Sequence, residues 1–303
     1  MKLLITGIAG FIGSKIAHKS IELGYQVIGV DDLSNGKLEN IPTKVEFINL
    51  DLALSDNLCK LPRECDVILH LAGQSSGEIS FDNPVADLQK NTQSTLNLIK
   101  YGIDVGAQKI VYASSMSVYG TTVDAPISES TRCSPLSCYG AGKMAAEHYL
   151  EVYKDKLPYI AFRMFNVYGP GQDMANLRQG MVSIYLAHII KSNHVQVKGK
   201  FDRFRDFIYI DDVVDIWLQS ISNHKANNQC YNLGTGVRTT VLQLLESFKT
   251  VYPTVTWEEN QGTPGDQFGI YADTKKLSDT FNVAKFKSLK DGLELFSQWV
   301  DRE

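Results

Sequence analysis

Residues 2–13 read Lys2-Leu3-Leu4-Ile5-Thr6-Gly7-Ile8-Ala9-Gly10-Phe11-Ile12-Gly13: a short apolar run of strand type that passes without a break into Gly-x-x-Gly-x-x-Gly. An amphipathic stretch over 14–23 follows. Strand, glycine turn and helix in that order form a dinucleotide pyrophosphate site. Gly7 permits the tight turn, and Gly10 lets the backbone approach the phosphates with no Cβ in the way. Gly13 lets the helix pack close to its strand. The helix N-terminus then offers unpaired N–H groups and the positive end of its dipole to the anion. A glycine-rich turn with no ligand is the bland alternative, and the context on both sides argues against it.

Outward from this turn, 26–31 is a second strand ending in Asp31, about twenty residues beyond the glycine loop, where a carboxylate accepts hydrogen bonds from an adenosine ribose. A carboxylate there repels a 2′-phosphate, and no Arg or Lys adjoins it in sequence, which favours NAD over NADP. Capping of the loop Asp32-Leu33-Ser34-Asn35-Gly36 is the other reading of Asp31. Strands are expected over 45–50, 66–71, 109–113 and 158–162, the second nearly all apolar as a parallel strand buried on both faces should be. A helix is expected over 84–101. This alternation implies an α/β fold with a doubly wound parallel sheet. Ligands bind at the carboxyl ends of such strands, so the loops after Ile5, Val30, Leu71 and Ala113 should share one crevice. Beyond Asn166-Val167-Tyr168-Gly169-Pro170-Gly171-Gln172 the rhythm breaks. Helices over 177–191, 211–222, 240–252 and 289–300 with short strands between them suggest a smaller lobe. We therefore expect 1–165 to form the dinucleotide domain and 166–303 mainly the second lobe, with segments returning to the first.

Composition narrows the class. The chain has 303 residues, 44% hydrophobic and 21% charged, with net charge −4. Slight acidity argues against nucleic acid as a partner. No apolar run reaches membrane-spanning length, and the N-terminal apolar segment reads as a core strand, not a signal peptide. Five scattered cysteines without a Cys-x-x-Cys pair suit idle thiols in a reducing cytoplasm. The six histidines show no metal-ligand spacing, so no metal is expected.

Chemistry is carried by a second constellation. Ser114-Ser115-Met116-Ser117-Val118-Tyr119-Gly120 follows the strand over 109–113, and Tyr139-Gly140-Ala141-Gly142-Lys143 opens a helix. Residues four apart share a helix face, so Tyr139 and Lys143 point into one site. A phenol loses its proton near pH 10. A nearby ammonium, and an adjacent charged nicotinamide, would favour the phenolate. Tyr139 then serves as a general base, with Ser115 bonding the same substrate oxygen.

With these residues in view, the chain resembles the extended short-chain dehydrogenase/reductase family, in its nucleotide-sugar epimerase/dehydratase branch that includes UDP-galactose 4-epimerase. The resemblance runs from Thr6-Gly7 through Asp31, Asp51-Leu52, His70-Leu71-Ala72-Gly73, Asn91, Ser115 and Tyr139-x-x-x-Lys143. It continues in Phe165-Asn166-Val167-Tyr168-Gly169-Pro170, 205–212, Tyr231-Asn232-Leu233-Gly234 and Gly265-Asp266. It implies a Rossmann fold with a C-terminal substrate-binding lobe, and Ser115, Tyr139 and Lys143 as catalytic residues. NAD would be held by Gly7, Gly10, Phe11, Ile12, Gly13, Asp31, Asp32, Asn35, Gly36, Asp51, Leu52, Leu71, Ala72, Gly73, Asn91, Ser114 and Phe165, together with Tyr139 and Lys143. A nucleotide sugar would meet Ser75, Ser115, Asn166, Arg205 and Asp266, with Arg205 forking two phosphate oxygens. Relatives commonly pair through the helices beginning near Pro84 and Tyr139, which implies a homodimer.

The same resemblance orders the possible reactions. Dehydratases place acid–base carboxylates just after the catalytic Ser, and decarboxylases keep a Glu at the second of those positions; here they are Met116 and Ser117. Reductases often prefer NADPH, which Asp31 opposes. The reading is therefore an NAD-dependent 4-epimerase of an NDP-hexose, a UDP-sugar first, acting through a transient 4-keto sugar. A 4-keto-6-deoxyhexose reductase and a non-catalytic dinucleotide-binding regulator are the alternatives. Two positions depart from the family pattern. Thr263 stands where a second diphosphate-binding Arg is usual, leaving Arg203 or Arg178 to substitute. Ile270 stands where some relatives crowd the sugar with Tyr, which would leave room for an N-acetyl group.

Overall fold

The computed structural model describes every residue except Gln179, 263–266, Ala284 and Glu303. The first half alternates as the sequence predicts: β1 (Lys2–Thr6), α1 (Phe11–Glu22), β2 (Gln26–Asp31), β3 (Glu46–Asn49), β4 (Val67–His70), α2 (Pro84–Leu88), α3 (Ser94–Asp104), β5 (Lys109–Ser115), α4 (Cys138–Tyr153) and β6 (Tyr159–Met164). The second half holds β7 (Asn166–Tyr168), α5 (Met181–Ser192), β8 (His194–Lys198), β9 (Phe204–Arg205), β10 (Phe207–Tyr209), α6 (Ile210–Ser222), β11 (Gln229–Leu233), β12 (Thr239–Thr240), α7 (Val241–Phe248), β13 (Thr256–Asn260), α8 (Lys275–Thr280) and α9 (Leu289–Val300).

Seven strands form one sheet in the order β11-β6-β5-β4-β1-β2-β3, and every neighbouring pair is parallel. Order reverses at β1 and β4, so the crevice opens at their carboxyl ends. Alternation along each strand builds two cores. Leu3, Ile5, Val67, Leu69, Val111 and Phe162 face one side, where Ile16 of α1 and Val213 and Trp217 of α6 cover them. Leu4, Ile68, Ile110, Tyr112 and Ala161 face the other, under Leu98 and Ile99 of α3 and Ala146 and Leu150 of α4. Burial on both faces is why these strands read as continuous apolar runs. Three small pairings, β10-β7, β12-β9 and β13-β8, stand outside this sheet.

Three boundaries differ from the sequence reading, each for a local reason. The helix expected over 84–101 is interrupted by a π turn at Gln89–Gln93. There Ser94 Oγ and Thr95 Oγ1 donate to the carbonyls of Lys90 and Asn91, four residues back. Such bonds compete with the regular ladder, and π turns concentrate at functional sites. α5 starts at Met181, because Gly180 before it has φ +87°. α7 is shorter than expected and opens on a capping box between Thr240 and Gln243.

A buried ion pair ties four elements together beneath α4. Arg163 Nη2 reaches Glu147 Oε2 at 2.7 Å, and both side chains are under one-tenth exposed. Ser114 Oγ donates to Glu147 at 2.5 Å, Arg163 Nη1 donates to Tyr119 Oη at 3.0 Å, and that hydroxyl donates to Asn232 Oδ1 at 2.6 Å. Removing one partner strands a buried charge, which costs roughly 3–5 kcal/mol. Arg163→Met should therefore lower unfolding stability by about that amount in urea titration; a loss under about 1 kcal/mol would show that Glu147 is satisfied without it.

Candidate active site

The glycine turn is shaped by what lies behind it. Gly7 has φ +70°, and a Cβ there would stand 2.6 Å from the Ala72 nitrogen. A Cβ on Gly13 would overlap the Gly7 carbonyl. Gly10 sits at the N-cap of α1 in extended conformation and provides no side-chain cap, so the first N–H groups of α1 point into the cleft. The cavity there, of about 440 Å³, is lined by Gly7, Gly10, Phe11, Ile12 and Gly13, then Asp31, Asp32, Asn35, Gly36, Asp51 and Leu52, then Leu71, Ala72, Gly73, Ala113, Tyr139 and Lys143. The loops after β1, β2, β4 and β5 thus share one crevice, as the topology requires. Three expected cofactor positions do not line it. Ser114 turns its hydroxyl to Glu147. Phe165 packs with Val118, Tyr119 and Ile127 in a third apolar cluster. Asn91 is 1% exposed behind Gly73, with Oδ1 buried and without a hydrogen-bond partner among the described residues.

Asp31 caps its loop and also faces the cavity. Its Oδ1 accepts the Leu33 N–H at 2.9 Å, capping the loop, and its Oδ2 accepts the Ala9 N–H at 3.0 Å, tying β2 to the glycine turn. It also lines the cavity, and each oxygen keeps a second lone pair for a ribose hydroxyl. Burial pushes its carboxyl up, against the backbone bonds from Leu33 and Ala9. Although no cation adjoins Asp31 in sequence, the π turn brings Lys90 to Asp51 at 2.9 Å and to Asp32 at 2.5 Å. Three carboxylates against one ammonium leave this end of the cavity negative. Nothing in the local pattern marks Lys90; its position follows from the π turn.

Ser115, the last residue of β5, and Tyr139 and Lys143, on one face of α4, converge as expected. Ser137 caps α4 by accepting the Gly140 N–H at 3.1 Å. The Ser115 hydroxyl stands close enough to Tyr139 to favour its ionised form, and Ser115 Oγ donates to Ser117 Oγ at 3.2 Å. The Lys143 ammonium lies 5.7 Å from the Tyr139 ring centre and 5.0 Å from that of Tyr112. Burial governs the protonation of both groups before a cofactor is bound. It pushes the Tyr139 phenol up to about 12, the Ser115 hydroxyl opposing it, and pushes the Lys143 ammonium down to about 8. Lys143 alone does not turn Tyr139 into a phenolate, because desolvation acts on both.

A second cavity of about 790 Å³ is lined by Ser75, Ser76, Met116, Ser117, Asn166, Arg178, Lys198, Arg203 and Arg205, among others. Ser75 lines both cavities, so they adjoin there; Tyr139 lines the first, and Met116 and Ser117, which follow Ser115, line the second. Asn166 Nδ2 donates to the Asp206 carbonyl at 3.1 Å. Arg205, 3% exposed, donates to the carbonyls of Gln267 at 2.7 Å and Phe268 at 3.2 Å. Both proposed substitutes for the missing Arg line this cavity. Ile270 does not: it is 1% exposed within the third apolar cluster and leaves no space at a sugar. Thr263, Gly265 and Asp266 lie outside the described residues. Among the described residues no group of His, Cys, Asp and Glu could hold a metal, and no helix is long and apolar enough to cross a membrane.

The crevice, the glycine cradle and the ammonium of Lys143, which makes no hydrogen bond or ion pair among the described residues, fit a dinucleotide. The profile of the NAD dependent epimerase/dehydratase family matches residues 3–234. A putative UDP-glucose 4-epimerase of Methanocaldococcus jannaschii is 34% identical over 98% of each chain. The crystal structure of UDP-glucose 4-epimerase from Thermotoga maritima with UDP-glucose superposes with TM-score 0.92 at 32% identity, covering 100% of this chain and 99% of that one. That of the Thermus thermophilus UDP-glucose 4-epimerase complex with NAD does so with TM-score 0.89 at 29% identity, over 99% of each. The chain belongs to the NAD dependent epimerase/dehydratase family.

The negative adenosine end predicts cofactor choice. Calorimetric titration should give at least tenfold tighter binding of NAD than of NADP, since one like-charge contact of about 1.4 kcal/mol suffices for that ratio. Equal affinities would remove Asp31 from the ribose.

Proposed function

We propose that this protein is an NAD-dependent nucleotide-sugar 4-epimerase that interconverts an NDP-hexose, a UDP-sugar first, and its 4-epimer through a transient 4-keto sugar. The observation that carries the reading is that Tyr139 and Lys143 line the first cavity while Met116 and Ser117, the two residues after Ser115, line the second, which shares Ser75 with the first. Bound in the first cavity, NAD supplies the hydride acceptor and, later in the same turnover, the donor. Ser115 bonds the sugar C4 hydroxyl, and Tyr139 takes its proton and later returns it. With its phenol pushed up to about 12, Tyr139 depends on positive charge beside it, which Lys143 provides in part. Arg205 with Arg203 or Arg178 anchors the diphosphate in the second cavity. The 4-keto sugar can then turn over while its nucleotide stays fixed. Support for the sugar-nucleotide class comes from relatives whose own substrates are UDP-sugars.

The residues after Ser115 speak against elimination chemistry. Met116 Sδ accepts from Asn166, and Ser117 bonds Ser115; neither is an acid. A 4-keto reductase is the reading to test against. Each candidate sugar nucleotide is incubated with the holoenzyme while NADH absorbance and product stereochemistry are followed together. The expected result is epimer formation with no net change in NADH, lowered roughly a hundredfold or more in Tyr139→Phe, the usual share of a general base. Stoichiometric NADH oxidation by a 4-keto sugar, with no epimer from any hydroxy-sugar, would establish the reductase instead.

The same reading includes a homodimer in the cytoplasm. Val85 and Leu88 on α2 and Tyr149 and Val152 on α4 are apolar yet 40–75% exposed, and α2 packs on α4. Such a face is an association surface, and the free cysteines suit a reducing compartment. Light scattering should show a dimer in the native chain and a monomer in Val152→Asp. A monomeric native chain would rule this face out, and recovery in a membrane or secreted fraction would rule out the compartment.

A further inference from the structure

Three polar atoms around Gly73 and Gly142 are left over once the bonds of the site are counted. Asp87, the fourth residue of α2, is 2% exposed, and its Oδ2 is buried without a hydrogen-bond partner. Asn91 Oδ1 is buried and equally without one. The Lys143 ammonium, on a side chain 3% exposed, makes no hydrogen bond or ion pair among the described residues. They lie together. A Cβ on Gly142 would stand 3.5 Å from Asp87 Oδ2, and one on Gly73 would stand 2.5 Å from Asn91 Oδ1 and 3.4 Å from Lys143 Nζ. Asp87 is held in place from its other oxygen, which accepts from Gln74 Nε2 at 2.8 Å and from Asn91 Nδ2 at 3.1 Å. Buried groups left unsatisfied are uncommon and point to a use beyond packing.

We infer that Asp87 is a positioning residue for the reaction: its buried carboxylate is the counter-charge that keeps the Lys143 ammonium protonated and directed at the cleft. Lys143 has few other neighbours able to do this. Glu147, one helical turn further along α4, also raises its affinity for a proton, but Glu147 is engaged by Arg163 at 2.7 Å. His70 on β4 is buried and pushed down to about 3, hence neutral, and bonds Thr6 at 2.7 Å and Thr95 at 3.0 Å. Tyr112 on β5 is pushed well up by burial and presents only its ring. Tyr139 is likewise neutral before substrate arrives. Asp87 is the larger of the two carboxylate influences on Lys143, against the burial that drives the ammonium down to about 8. The sign follows: a negative charge raises the affinity of Lys143 for its proton, so neutralising Asp87 lowers it. A Lys143 that loses its proton in the working pH range can no longer support the Tyr139 phenolate. Direct contact is not needed for this. The pair interacts across a dry interior, where charge acts over longer distance than in water.

This inference rests on the epimerase reading for what Lys143 does, and its test separates the two. Lysine labelled with 13C at the ε carbon reports the titration of Lys143 without substrate, the resonance being assigned by its loss in Lys143→Arg. In Asp87→Asn, which keeps size and shape, the Lys143 midpoint should fall by about one pH unit, tenfold in proton affinity. The alkaline limb of kcat/KM should move down by the same interval, with the KM for the sugar nucleotide unchanged. A merely structural Asp87 would lower Tm and NAD affinity and leave both pH midpoints in place; that result would overturn the inference. Asp87→Ser repeats the test if the amide variant does not fold, and Asp87→Glu, which keeps the charge, should leave both midpoints near their wild-type values; midpoints that fall with the charge retained overturn the inference. Should the wild type turn over no sugar nucleotide, the epimerase reading fails while the titration still decides for or against Asp87.

Discussion

The whole arrangement depends on three backbone segments meeting with no side chain between them. The end of β1, the first turn of α1 and the exit of β4 converge at Gly7, Gly13 and Ala72, where a Cβ would stand within 2.6 Å of main chain or overlap it. This approach brings the N–H groups of α1 to the floor of the crevice and sets the distance between α1 and the sheet. It also fixes Leu71, Ala72 and Gly73 as the opposite wall. Dispersion and hydrophobic burial in the two cores then hold the approach in place. Neither core would position a phosphate without it.

Above that floor the chain manages buried charge in two ways. Glu147 and Arg163 satisfy each other with further bonds to Ser114 and Tyr119, which rigidifies the underside of α4 and so the helix that carries Tyr139 and Lys143. Lys143 makes no hydrogen bond or ion pair among the described residues and faces two aromatic rings, with Asp87 as a counter-charge at a distance. A fully paired lysine would be a structural ion pair; an unpaired one is available to the cleft. The contrast between these neighbouring charges, one closed and one open, divides scaffold from chemistry on a single helix.

The chain outside the main sheet does less to define the site than its size suggests. Short strands such as β9 and β12, two residues each, serve to bring Arg203 and Arg205 over the second cavity. Arg205 donates to the backbone carbonyls of Gln267 and Phe268, so loop geometry helps to orient its guanidinium. Ile270, next to Tyr271, shows how weak sequence register is here: it is core, packed with Phe165 and Tyr119.

What the sequence determined by itself was everything that depends on local pattern. The glycine spacing after β1, the acid ending β2, the apolar strands of a doubly wound sheet and the Tyr139–Lys143 interval are properties of neighbours along the chain. Their physics of turn, dipole and helix face acts over a few residues. What only the tertiary structure decided is the set of residues that meet across the fold. Lys90 bridges Asp32 and Asp51, Asp87 stands behind Lys143, and Ser114 and Phe165 turn away from the cleft they adjoin. The π turn that places Lys90 and Asn91 arises from side-chain bonds of Ser94 and Thr95 to carbonyls four residues back, which helix periodicity does not reveal. The protonation of Tyr139 belongs to the same group. A lysine four residues away and an adjacent nicotinamide charge favour a phenolate, while burial, which exists only once the chain has folded, penalises both charged groups.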